Sequence, residues 1–151
     1  MAIRNYTTDV DYWKSIGEIQ AQLFKYGASH VNLKSGPDGP DAITFTMELE
    51  GQPFNFLLSC EQEGILAALK EAKYGKLDGA KTMGEKALRV GWRIVKDWIG
   101  AQMAFIEARK AQDRTRALIT VFLPYTVSTT GETLADKLLG GSGSGLKKIG
   151  Y

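Results

Sequence analysis

The chain has 151 residues, 44% of them hydrophobic and 24% charged, the composition of one ordinary globular domain with room for a core. A formal net charge of +2 excludes a diffuse polyanion-binding surface, so any anion site has to come from local clustering. One cysteine, Cys60, and one histidine, His30, exclude an intrachain disulfide, a cysteine-rich metal site and most nucleophilic dyads.

Residues Met1 to Thr7 read as an extended lead-in. Thr8 with Asp11 offers a helix cap, and Tyr12, Ile16, Ile19, Leu23 and Tyr26 follow at helical spacing up to Gly27, leaving Lys14, Glu18 and Gln22 for water. His30 to Ser35 alternates weakly, as a first strand would. Gly36-Pro37-Asp38-Gly39-Pro40 is dense turn chemistry, because Pro presets φ and Gly permits positive φ. Ile43, Phe45, Met47 and Leu49 then alternate with Thr44, Thr46, Glu48 and Glu50, the pattern of a strand with one buried face. After a turn at Gly51-Gln52-Pro53, Phe54, Phe56 and Leu58 repeat that period, which predicts an antiparallel hairpin.

Glu61 to Ala72 is helical in pattern, with Ile65, Leu66 and Leu69 on one side, and Tyr74 to Lys81 is a Gly/Lys loop. The longest signal runs from Thr82 to about Ala111, enough for a helix of roughly 45 Å. Thr82 and Glu85 have the capping-box spacing. Leu88, Trp92, Val95, Ile99, Met103 and Ile106 recur at three- and four-residue steps, widened by Val90, Ile94, Ala101 and Ala104, so this helix must be covered on at least two sides. Trp92 and Trp98 fall about 120° apart around it, which makes at least one of them core. Gln112 to Arg116 is polar and breaks the pattern. Ala117 to Tyr125 reads equally as a buried strand or as a short apolar helix stopped by Pro124, and Glu132 to Leu139 as a last helix. Gly140 to Gly145 has flexible-linker composition, of a kind also added by engineering, and Leu146 to Tyr151 is a short basic tail. The expected fold class is α+β: a single domain over residues 1–139, in which a small antiparallel sheet, a hairpin plus a candidate third strand, packs on a long central helix and an N-terminal helix. With no leader and no apolar run near eighteen residues, a cytoplasmic, non-membrane protein is expected.

Catalysis is the weakest functional class. His30 sits on a strand edge, Cys60 reads as a small buried hydrophobe, and Glu48 and Glu50 occupy a wet strand face where charges belong. Metal-ligand spacing is absent, and neither metal nor cofactor is expected. The run from Gly75 to Thr82 superficially resembles a phosphate loop, but three residues instead of four separate its glycines and Ala80 intervenes before Lys81, which excludes that motif. What survives is electrostatic: Lys73, Lys76 and Lys81 surround a helix N-terminus, whose amides and dipole favour anions.

The leading candidate surface is cationic. Lys86, Arg89, Arg93 and Lys96 fall on one line of the long helix, and with Lys76 and Lys81 they form the expected nucleic-acid or phosphate site. The competing reading is a set of solvated or internally paired side chains, using Glu85, Asp97 or carboxylates elsewhere. Trp13, Tyr6 and Tyr12 are candidate aromatics for stacking on bases. The helix–three-strand–helix order matches a double-stranded-RNA-binding domain in topology only, because a further helix intervenes and no Lys-Lys-x-x-Lys run starts the long one.

Several segments carry a resemblance: Ile3-Arg4-Asn5-Tyr6-Thr7-Thr8, Ile16-Gly17-Glu18-Ile19, Gly27-Ala28, Trp92-Arg93-Ile94-Val95-Lys96-Asp97-Trp98 with Ala101-Gln102, Phe122-Leu123-Pro124-Tyr125, and Gly131-Glu132-Thr133-Leu134. Through them the chain resembles a family of small uncharacterised proteins encoded in bacterial genomes and prophages. It departs from that pattern over Gln112 to Thr120 and in its tail. The resemblance implies a context and no site residue: a small accessory protein of a bacterial mobile element, acting on nucleic acid or on host machinery. The expected function is therefore non-enzymatic binding of single- or double-stranded nucleic acid. The alternatives are a phage-type inhibitor that binds a host defence protein, a self-assembling (homo-oligomeric) subunit, or a sponge for a nucleotide signal at Lys81.

Overall fold

A computed structural model describes residues 3–128 and 131–139; the expected linker and basic tail, 140–151, lie outside them. Helix α1 (Tyr12–Lys25) is followed by strands β1 (Ala28–Gly36), β2 (Gly39–Leu49) and β3 (Gln52–Ser59), then by helices α2 (Gln62–Glu71), α3 (Met83–Glu107), α4 (Arg114–Phe122) and α5 (Leu134–Leu139). The strands form an antiparallel meander in the order β1-β2-β3, so the third strand is real and the fold is α+β.

The two turns are tighter than the sequence pattern indicates. Only Pro37 and Asp38 separate β1 from β2, with Gly36 opposite Gly39 and Pro40 already inside the ladder. Glu50 and Gly51 link β2 to β3 with φ of 53° and 76°, the left-handed pair that suits a two-residue hairpin, and Gln52 and Pro53 belong to β3. Side chains alternate as expected: Ile43, Phe45, Met47, Leu49, Phe56 and Leu58 are buried, and Thr44, Thr46 and Glu48 face outward.

α3 is the element on which the others pack. Leu88, Trp92, Ile99, Met103 and Ile106 lie against the inner face of the sheet, while Ala87 and Val90 form a second cluster with Ile65 and Leu69 of α2. α1 runs parallel to α3, buries Ile16, Ile19 and Leu23, and is tied to it at its C-terminal end by Tyr26 donating to Glu107 at 2.8 Å. Trp92 is the core tryptophan, fully buried and donating from Nε1 to the Pro40 carbonyl at 2.8 Å. Trp98 is half-buried and meets Phe122 and Tyr125 edge to face.

The ambiguous segment after α3 is helical. α4 brings Phe122 into the core beside Phe45 and Phe56, and Pro124 ends it in one 3-10 turn. α4 therefore covers apolar surface of α3 that a sheet and one helix would leave open. α3 also stops earlier than the pattern implies. Arg114 turns back and donates to the carbonyls of Glu107 and Arg109, both at 3.2 Å, satisfying acceptors that a helix end leaves free. At the front of the chain the cap of α1 is Asp11, which accepts from the Trp13 amide at 2.9 Å, while Thr8 closes a local turn with Val10.

Candidate functional site

The cationic line on α3 is consumed from within. Lys86 was expected to reach solvent and has a side chain that is 0% exposed; its Nζ lies 2.6 Å from Asp78 Oδ2 and 3.0 Å from the Thr8 carbonyl. It also stands over the Tyr74 ring at 5.6 Å from the centroid. Arg89 donates to the carbonyls of Asp9 at 3.2 Å and Asp78 at 3.4 Å and approaches Glu85 at 3.6 Å. Arg93 reaches Ser15 Oγ at 3.2 Å and Glu18 Oε2 at 3.3 Å, and Lys96 reaches the same Glu18 oxygen at 3.5 Å. The four side chains are neighbours on the helix, but each faces a partner from the lead-in, α1, the 72–82 loop or α3 itself. A phosphate cannot touch Lys86 without unfolding that corner.

The start of α3 is likewise complete. Thr82 Oγ1 accepts from the Glu85 amide at 3.1 Å, and Glu85 Oε2 accepts from the Lys81 amide at 2.7 Å, one residue before the N-cap amide that a capping box would use. Glu85 and Asp78 already supply negative charge where an anion would bind. Lys76 and Lys81 are exposed on the loop, as expected. Asp78 anchors the loop: hydrogen bonds from Lys86 and then from Tyr74, at 2.6 Å each, hold its carboxyl below the usual range. Donation to that carboxylate in turn pushes the Tyr74 phenol up to about 12.

The exposed cations gather elsewhere, at the turn from α3 into α4. Arg109, Lys110, Arg114 and Arg116 are all exposed there. A groove of about 580 Å³ runs along this end, lined by Arg109 and Arg116 with Gln102, Asp113, Thr120 and Phe105. Phe105 is the most exposed large apolar side chain of the described residues, at 71%. The sequence holds a signal for this site that periodicity obscures. Phe105 falls off the buried stripe although it is a large aromatic, and three arginines and a lysine crowd the eight residues after Ala108.

A second concavity, of about 510 Å³, is apolar. Leu58, Ile65, Ile94, Val95, Trp98 and Tyr125 form most of its wall, with Arg4 and Glu61 among its lining residues. Val95 was expected in the core and is only half-buried, because one side of it lines this groove. Cys60 is buried at the end of β3 beside this groove, and burial pushes its thiol up to about 12. His30 is exposed and contacts Ser29 Oγ at 3.1 Å. Among the described residues no group of three or more His, Cys, Asp and Glu side chains has an arrangement that would hold a metal ion, and no helix is long and apolar enough to cross a membrane.

No family model, curated protein or solved structure matches this chain. The geometry offers two candidate surfaces: the cationic groove with Phe105, and the apolar groove between α2 and α3.

Proposed function

We propose that this chain is a non-enzymatic nucleic-acid-binding protein that engages single strands at the α3–α4 end, in the accessory role that the prophage resemblance implies. One observation carries the reading: Phe105, 71% exposed, lines the same groove as Arg109 and Arg116. An exposed ring beside cations is what a splayed single strand uses, since a base stacks on the ring for about 1–3 kcal/mol while the backbone runs over the arginines. Asp113 in the same groove limits the net charge, so affinity is expected to be modest, with the shallow salt dependence of a few phosphate contacts.

The experiment is an anisotropy titration of labelled single-stranded and duplex oligonucleotides at several salt concentrations. Single strands should bind more tightly, Phe105→Ala should weaken that binding, and Arg109→Glu/Arg116→Glu should abolish it. Undetectable binding at low salt, or a charge-reversed double variant that binds normally, would end this reading.

A protein–protein module is the second reading, favoured by α1. Trp13 and Phe24 are 55% and 52% exposed, and eleven residues of helix place them on one face about 20° apart, with Gly17 and Ala21 between. Sedimentation that stays monomeric at high concentration removes its self-assembling form, and failure of Trp13→Glu to change capture of any host protein removes the other.

A further inference from the structure

We propose that the groove lined by Leu58, Ile65, Ile94, Val95, Trp98 and Tyr125 is a binding site for an uncharged, largely apolar small molecule, aromatic or acyl in character. Its volume of about 510 Å³ lies inside the usual 300–1,000 Å³ range of ligand pockets. The walls belong to rigid elements. On one side α3 is seated so closely on the end of β3 that a Cβ at Gly91 would meet the Cys60 carbonyl oxygen. On the other, α2 presents Gly64, whose missing side chain leaves open space. Leu58 and Ile65 form a buried floor, while Ile94, Val95, Trp98 and Tyr125 are only half-buried where the sheet core of Phe45, Phe56 and Phe122 is closed, so an incoming apolar body would remove from water the surface that folding has left exposed on those four.

Charge decides the class of ligand. Arg4 is the one cation in the lining, and its Nε already lies 3.1 Å from Asp97 Oδ2, which Asn5 Nδ2 also approaches at 3.0 Å. Burial pushes the Asp97 carboxyl up, but the hydrogen bonds from Asn5 and Arg4 outweigh it and hold the group below its ordinary value, so the pair stays ionised. The remaining charged residue of the lining is Glu61, an exposed carboxylate screened by water. An anionic ligand would thus find no unpaired cation among the described lining residues and would meet Glu61, whereas an uncharged body meets no charge penalty there.

The test uses two probes with the same aromatic core. N-phenyl-1-naphthylamine is uncharged, and 1-anilinonaphthalene-8-sulfonate adds one sulfonate. The uncharged dye should give a saturable, blue-shifted fluorescence rise, and the sulfonate should bind at least tenfold more weakly. Gly64→Leu and Val95→Phe, either of which fills the groove, should each reduce uptake of the uncharged dye at least tenfold with the near-ultraviolet circular dichroism unchanged. Absence of saturable uptake overturns the proposal, as does uptake that persists in whichever filling variant folds. Tighter binding of the sulfonate overturns its uncharged class. A dimer in sedimentation that Gly64→Leu dissociates, with no dye uptake by the parent chain, assigns the groove to a second copy and overturns it too. Phe105→Ala leaves dye uptake intact if the two grooves are independent, so failure here is separable from failure of the nucleic-acid reading.

Discussion

Lys86 Nζ and Asp78 Oδ2 stand 2.6 Å apart, the ammonium fully enclosed and the carboxylate at its edge. The same carboxylate oxygen accepts from the Tyr74 hydroxyl at 2.6 Å, and Lys86 continues to the Thr8 carbonyl at 3.0 Å. This one ion pair therefore fastens the 72–82 loop and the lead-in to α3. Asp78→Ala leaves the Lys86 ammonium buried without a carboxylate and should destabilise the fold, with the Thr8 carbonyl as the remaining acceptor. Lys86→Met, with a similar volume and no charge, should cost less, because it removes the group that needs the partner. Urea denaturation of both variants checks the order; equal or reversed losses would show that the pair is not what holds the corner.

The same network sets the pH limits of stability. Asp78 has a depressed folded value, so its contribution is present above the unfolded carboxylate value near 3.8 and is lost as pH falls through the folded one. Tyr74 is raised from 10.0 to about 12, so its contribution is complete below pH 10 and disappears as pH rises toward 12. Denaturation midpoints across both windows, compared with Tyr74→Phe and Asp78→Asn, should show a reduced alkaline slope in the first and both slopes reduced in the second, the remainder coming from Tyr26 and Cys60, which are also raised, and from Asp97, which is also lowered. Unchanged slopes in Tyr74→Phe would remove the phenol from the account.

Two helical glycines make opposite predictions. A Cβ at Gly91 would strike the Cys60 carbonyl oxygen, which is backbone and cannot swing aside, whereas a Cβ at Gly17 meets nothing within 4 Å. Gly91→Ala should destabilise by about 1–3 kcal/mol or more through overpacking. Gly17→Ala, exposed inside α1, should stabilise by roughly 0.5–1 kcal/mol through helix propensity. Thermal melts of the pair check both signs.

What could be read from sequence follows from which interactions are local. The strand alternation through Ile43, Phe45 and Met47 and the α3 cap at Thr82 and Glu85 depend on near neighbours, and both are present. The fate of the cationic line depends on distant ones. Thr8 is 78 residues from Lys86, Ser15 is 78 from Arg93, and Glu18 is 75 from Arg93, so no helical spacing reports them. Asp78 is closer in sequence but reaches Lys86 from a left-handed backbone conformation, φ 49°, which an Asp-Gly pair permits and a spacing rule does not foresee. Phe105 was hidden for a different reason. The apolar period identifies what is buried, and a large ring that leaves the period looks like noise until the groove beside it is seen.

Cys60 should behave as an inert side chain. It is 1% exposed, and burial raises its thiol to about 12, so almost no thiolate exists at pH 8. Alkylation by iodoacetamide at that pH should require opening of the fold, and the logarithm of its rate should rise linearly with denaturant. Fast modification of the native protein would mean that the end of β3 opens on its own.

Charge reversal separates cations that hold the fold from cations available to a ligand. Arg93→Glu removes donors to Ser15 and Glu18 and sets a carboxylate against Glu18, which still pairs with Lys96. It should lower the melting temperature, by about 1 kcal/mol or more in stability, and leave oligonucleotide affinity unchanged. Arg116→Glu touches an exposed side chain on the groove wall, so its stability effect should stay within about 0.5 kcal/mol. Its affinity for single strands should instead fall, with a shallower dependence on salt, because one phosphate contact and its released counterion are gone. Melts and titrations on the same two preparations decide it. If Arg93→Glu loses binding while remaining folded, the middle of α3 carries nucleic acid after all and the groove beside Phe105 does not.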